Sequence, residues 1–201
     1  MKKMIFSMML CMIMAVSLMG CGKENGDGNG SGSSANAGEA AAVDVADATE
    51  LLTNVWNTYE EADKFPIGGG DYENMTSDVP GAFDVSKAED LDAMLGVPAG
   101  SAAQIDDAAS MLHMMNANTF TAGAYHLTDS GKVQAVADAL KDNIVNRQWI
   151  CGFPDTLIVA SVGNEYIVSA FGNAEIVETF KTKLQAEYEM TEILHEENLV
   201  Q

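Results

Sequence analysis

Basic residues are scarce in this chain of 201 residues, which has 10 Lys and Arg against 30 Asp and Glu and a formal net charge of −20. Nucleic-acid binding depends on basic side chains that neutralise phosphates, so the composition argues against a nucleic-acid partner. The same deficit repels anionic lipid headgroups and aids solubility. Nor does a lysine follow the glycines at 68–70 at the spacing of a phosphate-binding loop, and no cofactor is predicted.

One apolar run suggests export, and it lies at the start of the chain. Lys2 and Lys3 precede a nearly continuous apolar stretch from Ile5 to Leu18. A short positive segment followed by a run of this length is typical of a secretory signal peptide. A membrane-spanning helix needs about 20 apolar residues, which is more than this run contains. We therefore predict that residues 1–20 are a signal peptide.

The end of that run, Leu18-Met19-Gly20-Cys21, resembles the lipobox of bacterial lipoproteins, in which an aliphatic, a variable and a small residue precede a cysteine. The resemblance implies cleavage between Gly20 and Cys21 and attachment of a diacylglyceryl group to Cys21, with acyl chains such as palmitate. Two acyl chains hold a protein stably on a bilayer, whereas one does not. We expect a lipid-anchored protein at the outer face of the cytoplasmic membrane. The alternative is an ordinary secretion signal with a chance cysteine.

Cysteine is rare, with three in the chain. Cys11 would be removed with the signal peptide and Cys21 would carry lipid, so Cys151 would have no intramolecular disulfide partner. An exported domain without disulfides must be stabilised by its core alone. Cleavage would remove two lysines and no acidic residue, which takes the net charge from −20 to −22.

The chain divides into three parts by composition. Glycine, serine and asparagine dominate residues 22–38 without apolar periodicity, which is typical of a flexible coil. We predict that residues 21–38 are a lipidated tether. Residues 39–201 are predicted to form a single domain, because a chain of this length buries enough surface for an independent fold.

Two capping boxes predict two N-terminal helices, one after Asp47 and one after Ser86. Two strand–strand–helix units are predicted to follow. Their strands are expected at 109–116, 119–127, 156–162 and 165–171, and their helices at 130–147 and from 173 to about 191. Gly163-Asn164 is predicted to be a two-residue hairpin turn. This order predicts an α+β two-layer sandwich, in which helices cover one face of a mainly antiparallel four-stranded sheet.

The segment NRQWICGFPDTLIVASVGNEYIVSAFGNAEIVETFKTKL, residues 146–184, resembles a family of small lipoproteins from low-GC Gram-positive bacteria known as a domain of unknown function. Its members share a lipobox, a polar tether, a methionine-containing strand pair and a helix ending near an arginine. A second strand pair reads LIVASVGNEYIVSAFG here. The resemblance covers roughly residues 45–190. It implies no catalytic residues.

Two histidines are the candidate metal ligands. If Ala117-Asn118 is a two-residue turn, His113 faces Ala122 in the neighbouring strand. His126 then faces Ala109, which places the imidazoles on one sheet face about 13 Å apart. One zinc ion with bonds of about 2.1 Å could not join them. No metal site is therefore predicted, although a different register would bring the histidines closer.

Cys151, in the stretch QWICGFP, is the candidate nucleophile. A catalytic cysteine would need a nearby base and an oxyanion hole, whereas a free cysteine is often a small buried hydrophobic residue. We predict the buried role for Cys151, and a core position for Trp149 and Phe153. His195 is predicted to lie in a frayed C-terminus.

The leading hypothesis is a membrane-anchored, extracytoplasmic lipoprotein that acts as a non-enzymatic binding or interaction module. Its partner would be a cell-surface protein or a cell-wall ligand, in addition to the bilayer that holds the acylated Cys21. A second hypothesis is a cysteine-dependent hydrolase that uses Cys151 with His113 or His126. A third is a small solute-binding lipoprotein associated with a transporter. The sequence does not predict the oligomeric state.

Overall fold

The computed structural model describes residues 42–150 and 152–200, which belong to one compact unit spanning residues 38–201. The predicted signal peptide, Gly20, Cys21 and the tether lie outside the described residues, and so does Cys151. The first helix, α1 (Ala48–Asn57), begins at the predicted cap. The Asp47 carboxylate accepts a hydrogen bond of 2.8 Å from the Glu50 amide.

The strands and helices that follow are short up to α3 and longer from β4 onwards. Three short strands come first: β1 (Ile67–Gly69), β2 (Thr76–Ser77) and β3 (Gly81–Ala82). Next is α2 (Ala88–Asp90), which continues as a π-helical turn over Leu91–Leu95, and then α3 (Ala99–Ala102). The remaining elements are β4 (Ile105–His113), β5 (Phe120–Leu127), α4 (Val133–Val145), β6 (Thr156–Val162), β7 (Tyr166–Gly172), α5 (Ala174–Glu187) and β8 (Thr191–Asn198). No helix among the described residues is long and apolar enough to cross a bilayer.

All the strands join one open antiparallel sheet in the order β2-β1-β4-β5-β7-β6-β8, with β3 also paired to β4. The predicted α+β class and the mainly antiparallel sheet are confirmed. The four predicted strands correspond to β4, β5, β6 and β7. The prediction of four strands is wrong, because the described residues form eight.

Helices cover both faces of the sheet, so the predicted two-layer arrangement with helices on one face is also wrong. On one face, which we call the α5 face, α1 and α5 pack on Ile158, Ala160 and Val168. On the other, the α4 face, the π-helical turn and α4 pack on Leu157 and Val159. Apolar residues at consecutive strand positions make both faces hydrophobic, and each face therefore needs a covering layer.

The C-terminal segment differs most from its prediction. The last helix ends at Glu187, and residues 191–198 form the edge strand β8 against β6. His195, predicted to lie in a frayed terminus, is opposite Val159 in this strand, and its Nε2 lies 2.7 Å from the Asp138 carboxylate. Pairing with β6 outweighs the low strand propensity of the glutamates in this segment.

The hairpin between β6 and β7 has a three-residue loop, so the predicted two-residue turn is wrong. Val162 pairs with Tyr166, which leaves Gly163, Asn164 and Glu165 in the loop. Gly163 has a φ of +62°, a conformation that glycine adopts without steric cost. The strands themselves lie within one residue of their predicted ends.

Candidate binding site

A cleft lined by methionine, aromatic and arginine side chains lies on the α4 face, where β4 ends and β5 begins. It has a volume of about 360 Å³. The π-helical turn, the segment after β1, the β4–β5 connection and the segment after α4 all contribute to it. Its lining residues are Tyr72, Met75, Ala93, Met94, Leu112, His113, Met114, Met115, Asn116, Ala117, Asn118, Thr121, Arg147, Trp149 and Phe171. We call it the methionine cleft.

Methionines are concentrated in this cleft. Six methionines follow residue 41, and four of them line it: Met75, Met94, Met114 and Met115. Met115 is 81% exposed, and Met75 and Met114 are about half exposed at 47% and 48%. Flexible, polarizable thioether side chains adapt to ligands of different shapes, and for that reason they recur at binding surfaces.

The backbone of the β4–β5 connection holds two of these methionines. The Met114 amide donates a hydrogen bond of 3.0 Å to the Pro66 carbonyl, which continues the pairing of β4 with β1. The Met115 amide donates a hydrogen bond of 3.1 Å to Nδ1 of His113. A Cβ on residue 68 would lie 2.5 Å from the Met114 sulfur, so the glycine there leaves the space that this sulfur occupies.

A buried carboxylate organises the rim of the methionine cleft. The carboxylate of Asp71, which is 1% exposed, accepts hydrogen bonds from the Glu73 amide at 2.8 Å and the Asn74 amide at 3.0 Å. The Asp84 amide lies 3.4 Å from the same carboxylate, and the Lys87 ammonium lies 3.5 Å from it. Burial raises the pKa of such a carboxyl, but the donated hydrogen bonds outweigh it and lower the pKa of Asp71 to about 2.

Arg147 is held in the wall of the same cleft. Its guanidinium donates to the carbonyls of Asp92 and Ala93 in the π-helical turn, and it pairs with the Asp92 carboxylate at 3.0 Å. The group also lies over the Trp149 ring at 5.3 Å, and that ring is 5.3 Å from Phe171. A cation and two aromatic rings therefore form one side of the cleft.

A second cleft of about 440 Å³ shares Arg147 and Trp149 with the first. Its other lining residues are Val145, Phe153, Leu199 and Val200. Phe153 is 69% exposed, so its predicted core position is wrong, whereas Trp149 is partly buried against the α4-face core. Of ten large apolar side chains that are exposed among the described residues, seven line these two clefts. Concentrated apolar exposure of this kind marks interaction sites.

The two predicted candidate histidines lie far apart. His126 is opposite Asp107, so the register is shifted by two residues from the predicted one. Asp107 and His113 are six positions apart in β4, a span of about 20 Å. His113 stacks on Phe65 at 5.3 Å beside the methionine cleft, and His126 bonds to Asp106 at 2.5 Å.

No group of three or more His, Cys, Asp or Glu side chains converges as a metal site within residues 42–150 and 152–200. Since the structure does not describe Cys151, the hydrolase hypothesis stays a prediction. Sequence reasoning missed the methionine cleft, although the run MLHMM at the end of a strand was a visible signal.

Comparison of the chain with protein-family models, with curated proteins and with solved structures gives no match in any of the three.

Proposed function

We propose that this protein is a lipid-anchored, extracytoplasmic binding module whose two adjoining clefts receive an apolar, positively charged segment of a partner protein. The observation that carries the proposal is the concentration of exposed apolar side chains, above all methionines, in clefts that share Arg147 and Trp149. The resemblance to small lipoproteins of low-GC Gram-positive bacteria is consistent with this role.

The shape and chemistry of the clefts support a peptide segment as the occupant. They are lined by residues from six separate parts of the chain, with aromatic and thioether groups that make large apolar contacts. Asn116 and Asn118 add polar side chains to the lining, where Asn116 Oδ1 accepts the Asn118 amide and Asn118 Nδ2 donates to the Gly152 carbonyl. Apolar anchors in grooves with a few polar groups are typical of peptide recognition.

Charge supports a cationic partner. The described residues are strongly acidic, and five of the seven Lys and Arg after residue 41 already lie within 4 Å of a carboxylate. The described residues therefore carry an excess of uncompensated carboxylates, which lie outside the lining of the two clefts. Complementary charge speeds encounter and selects against acidic partners.

The docking experiment uses residues 21–201 with Cys21→Ser and a panel of fluorescent 12-residue peptides in which apolar residues alternate with Lys or Arg. A matched panel carries Glu in place of the basic residues. We expect saturable anisotropy changes with the cationic panel alone. Met115→Lys, at the exposed rim, should weaken binding about 10-fold or more.

Met190→Lys is the matched control, because it makes the same charge change at a 41% exposed methionine that lines neither cleft. Equal losses in the two variants would show that net charge alone drives binding and would refute docking in the clefts. Binding of small solutes in place of peptides would favour the transporter-associated hypothesis, since a cleft of about 360 Å³ is also large enough for a small ligand.

The membrane anchor needs a separate test. In cells fed an alkyne analogue of palmitate, the full chain should be labelled and sediment with membranes. Cys21→Ala should abolish both results, because the thiol that accepts the lipid is gone. Cys11→Ala is the control, since Cys11 belongs to the predicted signal peptide. Labelling that survives Cys21→Ala would refute the lipobox assignment.

A further inference from the structure

We propose that the methionine cleft also binds a soft monovalent metal ion, Cu(I), with the thioether sulfurs of Met75 and Met114 as its first two ligands. This inference concerns the same cleft as the proposed docking function. It requires neither the lipid anchor nor a peptide partner.

The two sulfurs are close together in the fold. Measured from the position that a Cβ on residue 68 would take, the Met114 sulfur lies at 2.5 Å and the Met75 sulfur at 3.4 Å. The sulfurs are therefore at most 5.9 Å apart. Metal–sulfur bonds of about 2.3 Å would hold two ligands no more than about 4.6 Å apart. Both side chains are about half exposed, so rotation about their flexible torsions can close the remaining gap.

Two further thioethers line the same cleft. Met115 is 81% exposed and free to rotate, and Met94, 8% exposed, lies in the π-helical turn. Either would supply a third sulfur and complete a three-coordinate thioether site. Thioethers are soft, uncharged ligands that select Cu(I) over hard cations such as Mg²⁺ and Ca²⁺, which take oxygen ligands.

The neighbouring charges permit a cation at this place. Arg147 is the basic residue that lines the cleft, and the Asp92 carboxylate at 3.0 Å compensates its charge. The net charge of −20 attracts cations to the surface as a whole. Asp71, which orders the loop that carries Met75, is ionised at neutral pH, and the hydrogen bonds that it accepts lower its pKa still further.

His113 is not assigned as a ligand, although it lines the cleft. Its Nδ1 accepts the Met115 amide, so the proton of the neutral ring lies on Nε2. Metal binding through Nε2 would move that proton to Nδ1 and break this hydrogen bond. The ring is also stacked on Phe65 at 5.3 Å, which restricts its rotation. The site is therefore built from thioethers.

The test uses residues 21–201 with Cys21→Ser and Cys151→Ser, because thiolates would bind Cu(I) more tightly than thioethers. Cu(I) is supplied without oxygen as its bicinchoninate complex, and its transfer to the protein is followed by the loss of the chelator colour. We expect one Cu(I) per chain. With Ag(I) as a redox-inert probe, the ¹³C-labelled ε-methyl signals of Met75 and Met114 should shift, and that of the core residue Met111 should not.

The double variant Met75→Leu/Met114→Leu should lower the Cu(I) affinity at least 10-fold, and Met190→Leu should leave it unchanged. Leucine keeps the cleft apolar, so peptide binding in the double variant separates failure of this proposal from failure of the docking function. Cu(I) transfer that is unaffected by the double substitution, no transfer at all, or Ag(I) shifts spread evenly over all exposed methionines would each overturn the assignment.

Discussion

Asp71→Asn tests whether a buried carboxylate holds the rim of the methionine cleft. Asp71 is 1% exposed and accepts hydrogen bonds from the Glu73 and Asn74 amides at 2.8 and 3.0 Å. Glu73 and Asn74 directly precede Met75 in the chain. The hydrogen bonds that stabilise the charged form therefore also hold the loop that carries this methionine.

The lowered pKa sets the expected magnitude and its pH dependence. Lowering the pKa of Asp71 from 3.8 to about 2 corresponds to on the order of 2 kcal/mol of folding stability. Because the folded-state pKa is below the unfolded-state value, this contribution is fully present above the unfolded pKa near 4. It falls to about half near pH 3, and it is lost as the pH drops through about 2.

Urea unfolding followed by tryptophan fluorescence measures this contribution. At pH 7, Asp71→Asn should lower the free energy of unfolding by about 2 kcal/mol relative to the unmodified chain, and the difference should shrink by about half at pH 3. Asp44→Asn is the matched control, because Asp44 is exposed. It should change the free energy of unfolding by less than about 0.5 kcal/mol at either pH.

Two results would refute this reasoning. A loss below about 0.5 kcal/mol at pH 7 would show that the hydrogen bonds to Asp71 do not stabilise the fold. A loss of the same size at pH 3 and pH 7 would show that the effect of the substitution does not come from the carboxylate charge.

Two buried tyrosines give opposite predictions for the loss of a hydroxyl. Among the described residues the Tyr59 hydroxyl has no hydrogen-bond partner. Tyr59→Phe should therefore leave the free energy of unfolding unchanged in urea titration or raise it by up to about 1 kcal/mol. A decrease of more than about 1 kcal/mol would contradict this expectation. The Tyr125 hydroxyl lies 3.1 Å from the Ser169 hydroxyl and 3.4 Å from the Leu95 carbonyl in the core. Tyr125→Phe should therefore cost about 1–2 kcal/mol in the same assay, and an unchanged value would contradict this account.

Local signals were sufficient for several elements. Asp47 and Asn173 have side chains that cap backbone amides, and both α1 and α5 begin directly after them. The β-branched residues of β6 and β7 predicted those strands to within one residue. These signals succeed because a cap or a strand run depends on neighbours within a few positions of the chain.

Other elements depend on partners that are distant in the sequence. The glutamates of β8 favour a helix or a coil locally, and the segment becomes a strand because the edge of β6 is free to pair with it. In β1, Gly69 lies directly against the backbone of Gly81, a close approach that a side chain would prevent. Neither arrangement has a local signature that differs from that of a loop.

Both sheet faces could have been read from the sequence more fully. The run LIVA at 157–160 is apolar at every position, whereas a strand with one wet face alternates apolar and polar residues. Such a run indicates a strand buried on both sides, and in the structure α4 and α5 contribute to the two covering layers. The two-layer prediction treated the continuous run as an ordinary one-sided strand.

The sequence by itself determined the composition of this protein, its acidic charge, its lipobox-like start and the local signals of its central strands and capped helices. Tertiary structure alone decided the methionine cleft. Its lining comes from residues 72–75, 93–94, 112–121, 147–149 and 171, which are separated in the chain and meet through sheet pairing and helix packing. A thioether is an ordinary apolar side chain until the fold places several of them around one space, and that placement depends on non-local contacts.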